Sequence, residues 1–254
     1  MDNSRKQLID LYMKSSKHSN YQILASNFQK LFNNESLIID SRYEQERLDY
    51  ILSKTKIKDK RILDIGGNSG YFTFEAINNG AKEVDYYDGN KWHAKFVELG
   101  TKIFGLGNKI NVYNKYYVYG NKDKKYDVVF FLNVLHHLGD DYGDKSLSLE
   151  KAKQFMIQQL NNLAQITDIL ILQMGFNWCG NRKCCLFKKG TKGEMLNYIK
   201  ENTSKKWILL DVGIAEEDNG KIQYNNVNME NIERNDKLGE FLNRPIIILK
   251  SRNE

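Results

Sequence analysis

The stretch with the most chemical content is Leu63-Asp64-Ile65-Gly66-Gly67-Asn68-Ser69-Gly70. Closely spaced glycines let a chain bend sharply and bring its backbone against a ligand with no side chain between them. A helix opening after such a turn points its free N–H groups at the same ligand. Asp64 precedes the first glycine by two residues, and Asp88 follows Gly70 by 18. A carboxylate at that distance, ending a second strand, can accept both hydroxyls of a ribose. A second constellation is the pair His136 and His137, directly after the apolar run Tyr126–Asn133. A histidine there can take a hydroxyl proton or neutralise an anion. A third is Arg42 and Arg47, two of only eight arginines. Both fall in one helical stretch, where Tyr43 and Arg47 share a face at i and i+4. Arginine's fixed fork suits phosphoryl oxygens, while Glu44 and Glu46 could instead pair with these arginines on a solvated face.

Regular elements must hold these groups. Apolar residues at helical spacing predict helices over Arg5–Phe32, broken at Ser15–Asn20, and over Ser41–Lys54. Arg61–Ile65 then reads as a strand, Asn68–Asn79 as a helix, Lys82–Asp88 as a strand and Lys91–Phe104 as a helix. Lys109–Tyr113 and the buried run Tyr126–Asn133 are further strands. Ser148–Gln165 is helix, Ile166–Met174 strand and Lys192–Asn202 helix, with late strands at Trp207–Val212 and Pro245–Lys250. This alternation predicts an α/β fold with a mostly parallel sheet covered on both faces. Residues 1–55 read as an N-terminal helical cap or lid on a domain of residues 56–254, with no linker between them. The polar Ser15–Tyr21 could be a lid carrying Lys17, His18 and Tyr21 over the site, or an ordinary turn between helices.

Composition bounds the alternatives. The 254 residues are 41% hydrophobic and 28% charged, which excludes disordered and fibrous classes. No apolar run is long enough to span a membrane and the N-terminus lacks a secretory apolar region, so a cytoplasmic protein is expected. The three cysteines, Cys179, Cys184 and Cys185, are too few for a disulfide framework. Adjacent thiols, like adjacent histidines, cannot easily take two corners of one tetrahedral site, so no metal is expected. Scattered lysines give a net charge of +6, which suits an anionic partner or substrate.

The D-x-G-x-x-x-G pattern of Asp64, Gly66 and Gly70 resembles motif I of class I S-adenosylmethionine-dependent methyltransferases. The string Lys125–Leu138 resembles their fourth-strand motif, and the likeness covers about Arg61 to Met174. It implies a Rossmann-like seven-stranded sheet whose last strand, Pro245–Lys250, is antiparallel. It implies S-adenosyl-L-methionine as cofactor and S-adenosyl-L-homocysteine as product. On that likeness Gly66, Gly67, Asn68 and Gly70 pass under the methionine part, with Asp64 orienting the turn or meeting the amino group. Asp88 holds the ribose and Asn133 stands near the methionine end. Asn68 departs from the small or acidic residue frequent there. The adenine segment is not placed; Asn114 and Lys115 are its candidates. The likeness also favours His136 as the catalytic contact, with His137 packing inward.

For the methyl acceptor, exocyclic-amine and pyrimidine-C5 signatures are absent. The Ser41–Arg47 helix resembles the pre-strand helix of the wobble-uridine carboxymethyl-transfer branch, which implies acceptor-side roles for Arg42, Tyr43 and Arg47. With Lys17–Gln22 and Gln173–Trp178, that helix also resembles the small methyltransferases of bacterial capsule clusters that make O-methyl phosphoramidate. This second likeness implies O-methylation of a small anionic phosphorylated or nucleotide-linked acceptor, with His18, Tyr21, Asn177, Trp178 and nearby Arg182 shaping its pocket. With the lysines dispersed, nucleic acid and membrane are not expected as partners, and oligomeric state is open. Alternatives are a tRNA wobble-uridine-type methyltransferase, a non-catalytic cofactor-binding subunit, or an NAD-dependent oxidoreductase.

Overall fold

The computed structural model describes residues 2–14, 18, 20–32, 37, 39–120 and 124–252. Ser15, Ser16, Lys17 and Ser19 of the expected lid lie outside the described residues. Three helices come first: α1 (Asp2–Tyr12), α2 (Ser26–Leu31) and α3 (Glu44–Lys54). Then follow β1 (Arg61–Ile65), α4 (Tyr71–Asn78), β2 (Glu83–Tyr87), α5 (Lys91–Ile103), β3 (Ile110–Tyr113) and β4 (Tyr126–Leu132). After them come α6 (Leu149–Leu163), β5 (Thr167–Gln173), α7 (Lys192–Thr203), β6 (Trp207–Asp218), β7 (Lys221–Asn226), α8 (Gly239–Leu242) and β8 (Ile246–Ser251).

The strands form one sheet in the order β3-β2-β1-β4-β5-β8-β6-β7. The first five run parallel, and β8 slots between β5 and β6, antiparallel to both. The expected antiparallel last strand is therefore present, but the sheet has eight strands where seven were expected. The extra one is β7, a polar edge strand that pairs with β6 through Asn219-Gly220. Both turn residues have positive φ, 50° and 77°, as a tight hairpin turn requires.

Side chains alternate across the sheet and divide into two cores. Val128 and Phe130 of β4 face one core, Val129 and Phe131 the other. Ile246 and Ile248 of β8 join the first, Ile247 and Leu249 the second. The helices α6 and α7 close the second core through Met156, Leu160, Met195 and Ile199. On the first face α4 and α5 are joined by the N-terminal helices. Phe28 of α2 is fully buried, with its ring 4.8 Å from Phe74 and 4.6 Å from Phe96. Leu8 and Tyr12 of α1 share that core. Leu8, Tyr12, Leu24, Phe28 and Phe32 thus contribute directly to the core on that face of the sheet. Among the described residues no helix is long and apolar enough to cross a membrane.

Candidate functional site

The strand order reverses between β1 and β4, and the crevice at the carboxyl ends of such strands is where open α/β sheets bind ligands. A cleft of about 940 Å³ opens there. The turn after β1 forms its floor. Gly66 has a φ of +72°, and a Cβ on it would stand 2.4 Å from Val134 Cγ2. At Gly67 a Cβ would meet the Tyr86 ring at 2.6 Å and Asp64 Oδ2 at 2.8 Å. Only glycine fits either place without displacing a wall. Gly70, at φ +81°, caps α4, so the helix starts at Tyr71 and not at Asn68 as expected.

Asp88 locks this turn from the neighbouring strand. Its Oδ2 accepts from the Asn68 N–H at 2.9 Å and its Oδ1 from the Asn90 N–H at 2.7 Å. The Asn90 side chain caps α5 by accepting from Trp92 N–H at 2.9 Å. Beside it, His93 Nδ1 lies 3.5 Å from Asp88 Oδ2, and neither buried ring nitrogen has a hydrogen-bond partner among the described residues. His93 lines the cleft and was not singled out from the sequence. Gln22 was also missed. Its Oε1 accepts from Ser69 Oγ at 3.0 Å and Tyr71 N–H at 3.2 Å, tying the N-terminal segment to the glycine turn.

Asp64 is 3% exposed, and its Oδ2 accepts from Thr73 Oγ1 at 2.6 Å. It therefore braces α4 against β1. Burial pushes its carboxyl up to about 7, against the opposing hydrogen bond from Thr73. A raised folded-state pKa gives stability that is complete below the unfolded value near 4 and lost as pH rises through 7. Stability of the wild type relative to Asp64→Asn should fall between pH 4 and 7 and level off above. The drop should be on the order of 4 kcal/mol. Denaturant titrations at a series of pH values measure it; parallel curves for the two proteins would contradict the shift.

At the mouth of β4, Asn133 takes a left-handed φ of 62°. Both ends of its amide are engaged: Nδ2 donates to Gln173 Oε1 at 2.9 Å, and Oδ1 accepts from Arg244 Nη1 at 2.9 Å. Arg244 is held in turn by Glu240 Oε2 at 2.5 Å. Gln173 Oε1 also accepts from Arg47 Nη1 at 3.2 Å, and Gln173 Nε2 donates to the Arg244 carbonyl at 3.0 Å. This network sets the wall of the cleft beyond the glycine turn.

Arg42 and Arg47 separate in role. Arg47 is 3% exposed and donates to Glu44 Oε1 at 3.2 Å, a carboxylate with no exposure at all. Burial lowers its guanidinium pKa, an effect that Glu44 opposes. Glu44 also accepts from Ser41 Oγ at 3.0 Å and the Arg42 N–H at 3.0 Å. A solvated face does not describe Arg47: it lines the cleft, held by Glu44 and Gln173, with its Nε buried and without a hydrogen-bond partner among the described residues. Arg42 lies at the cleft surface, paired with Asp40 at 2.9 Å and stacked 4.8 Å over Tyr21. Tyr43 lines the cleft from a left-handed φ of 57°, which delays the start of α3 to Glu44.

Both histidines of the pair line the cleft, where only one was expected to face it, and they differ in burial. His136 is 1% exposed, and its Nδ1 accepts from the Gly175 N–H at 3.1 Å, so it positions the loop after β5. His137 is the less buried, its Nδ1 3.2 Å from Asp141 Oδ2. The same Asp141 oxygen is 2.8 Å from His18 Nε2. Asn177 and Trp178, expected in the acceptor pocket, are not among the residues lining the cleft, whereas Arg182 is. Asn177 bridges to Cys185, and Trp178 Nε1 donates to the Leu138 carbonyl at 2.6 Å, which bolts the loop after β5 onto the histidine turn.

No protein-family model matches the chain. A curated relative, the tRNA U34 carboxymethyltransferase of Helicobacter acinonychis (strain Sheeba), is 31% identical over 103 residues. The match spans 39% of this chain and 39% of that protein. Among solved structures, SMU.776, a protein assigned as a methyltransferase and solved with S-adenosylhomocysteine, aligns with a TM-score of 0.50 and 13% identity. The alignment covers 82% of this chain and 49% of that one. A Streptococcus thermophilus protein assigned as a hemolysin aligns at TM-score 0.51 and 13% identity, over 87% and 70% of the two chains. At such identities the likeness establishes a shared α/β fold alone. The relative does bear on the acceptor. A small anionic acceptor was expected and nucleic acid was not, and a tRNA-modifying enzyme as sequence relative overturns that expectation. The likeness to capsule phosphoramidate methyltransferases gains no support from these proteins.

Proposed function

We propose that this chain is an S-adenosyl-L-methionine-dependent methyltransferase (EC 2.1.1) whose acceptor is a nucleic acid, of the tRNA wobble-uridine type. The observation that carries the cofactor half is the glycine turn held by Asp88 at the point where strand order reverses. The residues fit the group: Gly66 and Gly67 leave the backbone bare, and Asp88 stands at the end of β2 on the cleft wall. His93 adds a ring with two unsatisfied nitrogens beside Asp88. When bound, the cofactor supplies a sulfonium methyl, and S-adenosyl-L-homocysteine is the product.

This chain's own contribution is binding and orientation. Gly66, Gly67 and Asn68 carry the methionine part, Asp64 and Thr73 fix the turn, and Asp88 holds the ribose hydroxyls. Asn133, immobilised by Gln173 and Arg244, bounds the methionine end. His137 is the histidine assigned to the acceptor side, with His136 positioning the loop beneath it. Arg42 over Tyr21 offers a guanidinium and an aromatic face at the cleft surface, the pairing by which proteins take unstacked bases and phosphates of RNA. Arg182 and Lys115 add positive charge to the same lining. The local similarity to a tRNA-modifying enzyme and the net charge of +6 point the same way.

Incubation with S-adenosylmethionine labelled on the methyl group and with total bacterial tRNA tests this. Label should enter one tRNA nucleoside, identified by mass spectrometry of the digest, and tRNA binding should weaken steeply with salt. Protein that binds the cofactor and labels no RNA overturns the tRNA reading.

A further inference from the structure

We propose that His18, His137 and Asp141 form a binding site for a divalent transition-metal ion, Zn²⁺ being the best match, at the edge of the cofactor cleft. Their ligand atoms all lie within 4.8 Å of one another. Asp141 Oδ2 is 2.8 Å from His18 Nε2 and 3.2 Å from His137 Nδ1. Three ligands bonded at about 2.0–2.1 Å to a tetrahedral ion stand roughly 3.3–3.5 Å apart. The two separations to Asp141 need only a small expansion to admit one, and the two imidazole nitrogens lie within 4.8 Å of each other. Two imidazoles and one carboxylate are the donor set of open zinc and non-haem iron sites, and too nitrogen-rich for Mg²⁺ or Ca²⁺.

The placement also fits a working site. All three residues line the same cleft as the glycine turn and Asp88. Their side chains keep partial exposure, 33% for His18, 26% for Asp141 and 14% for His137, so an ion here has positions open to the cleft. His18 itself is tied to the cofactor turn, since Asn68 Nδ2 donates to its carbonyl at 3.1 Å. Asp140 Oδ2, 3.8 Å from His137 Nδ1, supplies a second carboxylate close by. Sequence spacing hides this site. The adjacent pair His136 and His137 cannot chelate together, and the missing partner comes from 119 positions upstream.

Three protein ligands leave a coordination position for water or for an acceptor oxygen, which the ion would hold and polarise as a Lewis acid. That role rests on the methyltransferase reading above; metal binding itself does not. The competing account is a proton-bridged cluster in which the carboxylate sits between two imidazoles and takes no ion.

The test uses the full chain, treated with chelator and dialysed. It is titrated with Zn²⁺ by calorimetry, with Co²⁺ by visible absorption, and with S-adenosylhomocysteine in parallel. One equivalent of Zn²⁺ should bind, and Co²⁺ should give the intense bands of a low-coordinate nitrogen and oxygen site. His18→Ala, His137→Ala and Asp141→Asn should each weaken Zn²⁺ binding on the order of 100-fold. A variant with Cys179, Cys184 and Cys185 all changed to serine should bind like wild type, since none of these thiols lines the cleft. Retained S-adenosylhomocysteine affinity in each variant reports an intact fold. Absence of Zn²⁺ binding at millimolar metal overturns the proposal, as does binding that follows the cysteines and ignores the histidines. Loss of S-adenosylhomocysteine binding with Zn²⁺ binding intact strikes the cofactor reading and leaves the metal site standing.

Discussion

Arg47→Ala should cost about 3–5 kcal/mol of folding stability. The guanidinium is 3% exposed and faces Glu44, which has no exposure. Removing it leaves a buried carboxylate whose remaining partners are backbone N–H groups and the Ser41 hydroxyl. It also strips Gln173 Oε1 of a donor and removes a cation stacked 5.0 Å from Phe72 and 5.4 Å from Phe241. In a chain of this size the loss should lower Tm by about 6–20 °C. The double variant Glu44→Gln with Arg47→Met removes both charges and should recover part of the loss, because the penalty lies in the uncompensated ion. Chemical denaturation of the three proteins measures this. A loss below 1 kcal/mol for Arg47→Ala would mean that the pair is solvated and that Arg47 is free to serve a ligand.

Asp88→Ala should weaken S-adenosylhomocysteine binding by about 2–4 kcal/mol, or roughly 30- to 1000-fold. Two effects combine. The carboxylate is the group assigned to the ribose hydroxyls, and each hydrogen bond to a charged acceptor contributes about 1.5–3 kcal/mol. The same oxygens hold Asn68 N–H at 2.9 Å and Asn90 N–H at 2.7 Å, so their loss also frees the glycine turn from the start of α5. Asp88→Asn keeps one acceptor and should fall between. Calorimetry separates the cases, and an unchanged affinity for Asp88→Ala removes the ribose assignment.

Local chemistry was legible in the sequence, and chemistry assembled from distant segments was not. A strand, a glycine turn and a helix are contiguous, so Gly66, Gly67 and the acid at the end of β2 could be read from spacing. The hairpin closing β7 carries a local Asn219-Gly220 signal, but it was not read, because the strand behind it is polar. Arg47 shows the limit. Its type and spacing suit an anion, but Glu44 one turn away is the anion, and its burial is decided by packing against the N-terminal segment. Gln22, Gln173 and Arg244 act through contacts with residues 47 to 126 positions away, which no periodicity reports. The hydrogen bond from the Gly175 N–H to His136 was hidden for a related reason: it exists only in the folded sheet.

The cleft above the glycine turn is the proposed seat of an S-adenosyl cofactor. The most direct measurement is calorimetric titration of the purified chain with S-adenosylhomocysteine, repeated with Gly67→Val, whose side chain would enter the space held by Tyr86 and Asp64. One equivalent should bind the wild type at micromolar ligand, with binding lost in the variant while its circular dichroism stays native. Wild-type protein that gives no heat with S-adenosylhomocysteine and instead binds a nicotinamide dinucleotide would contradict the account.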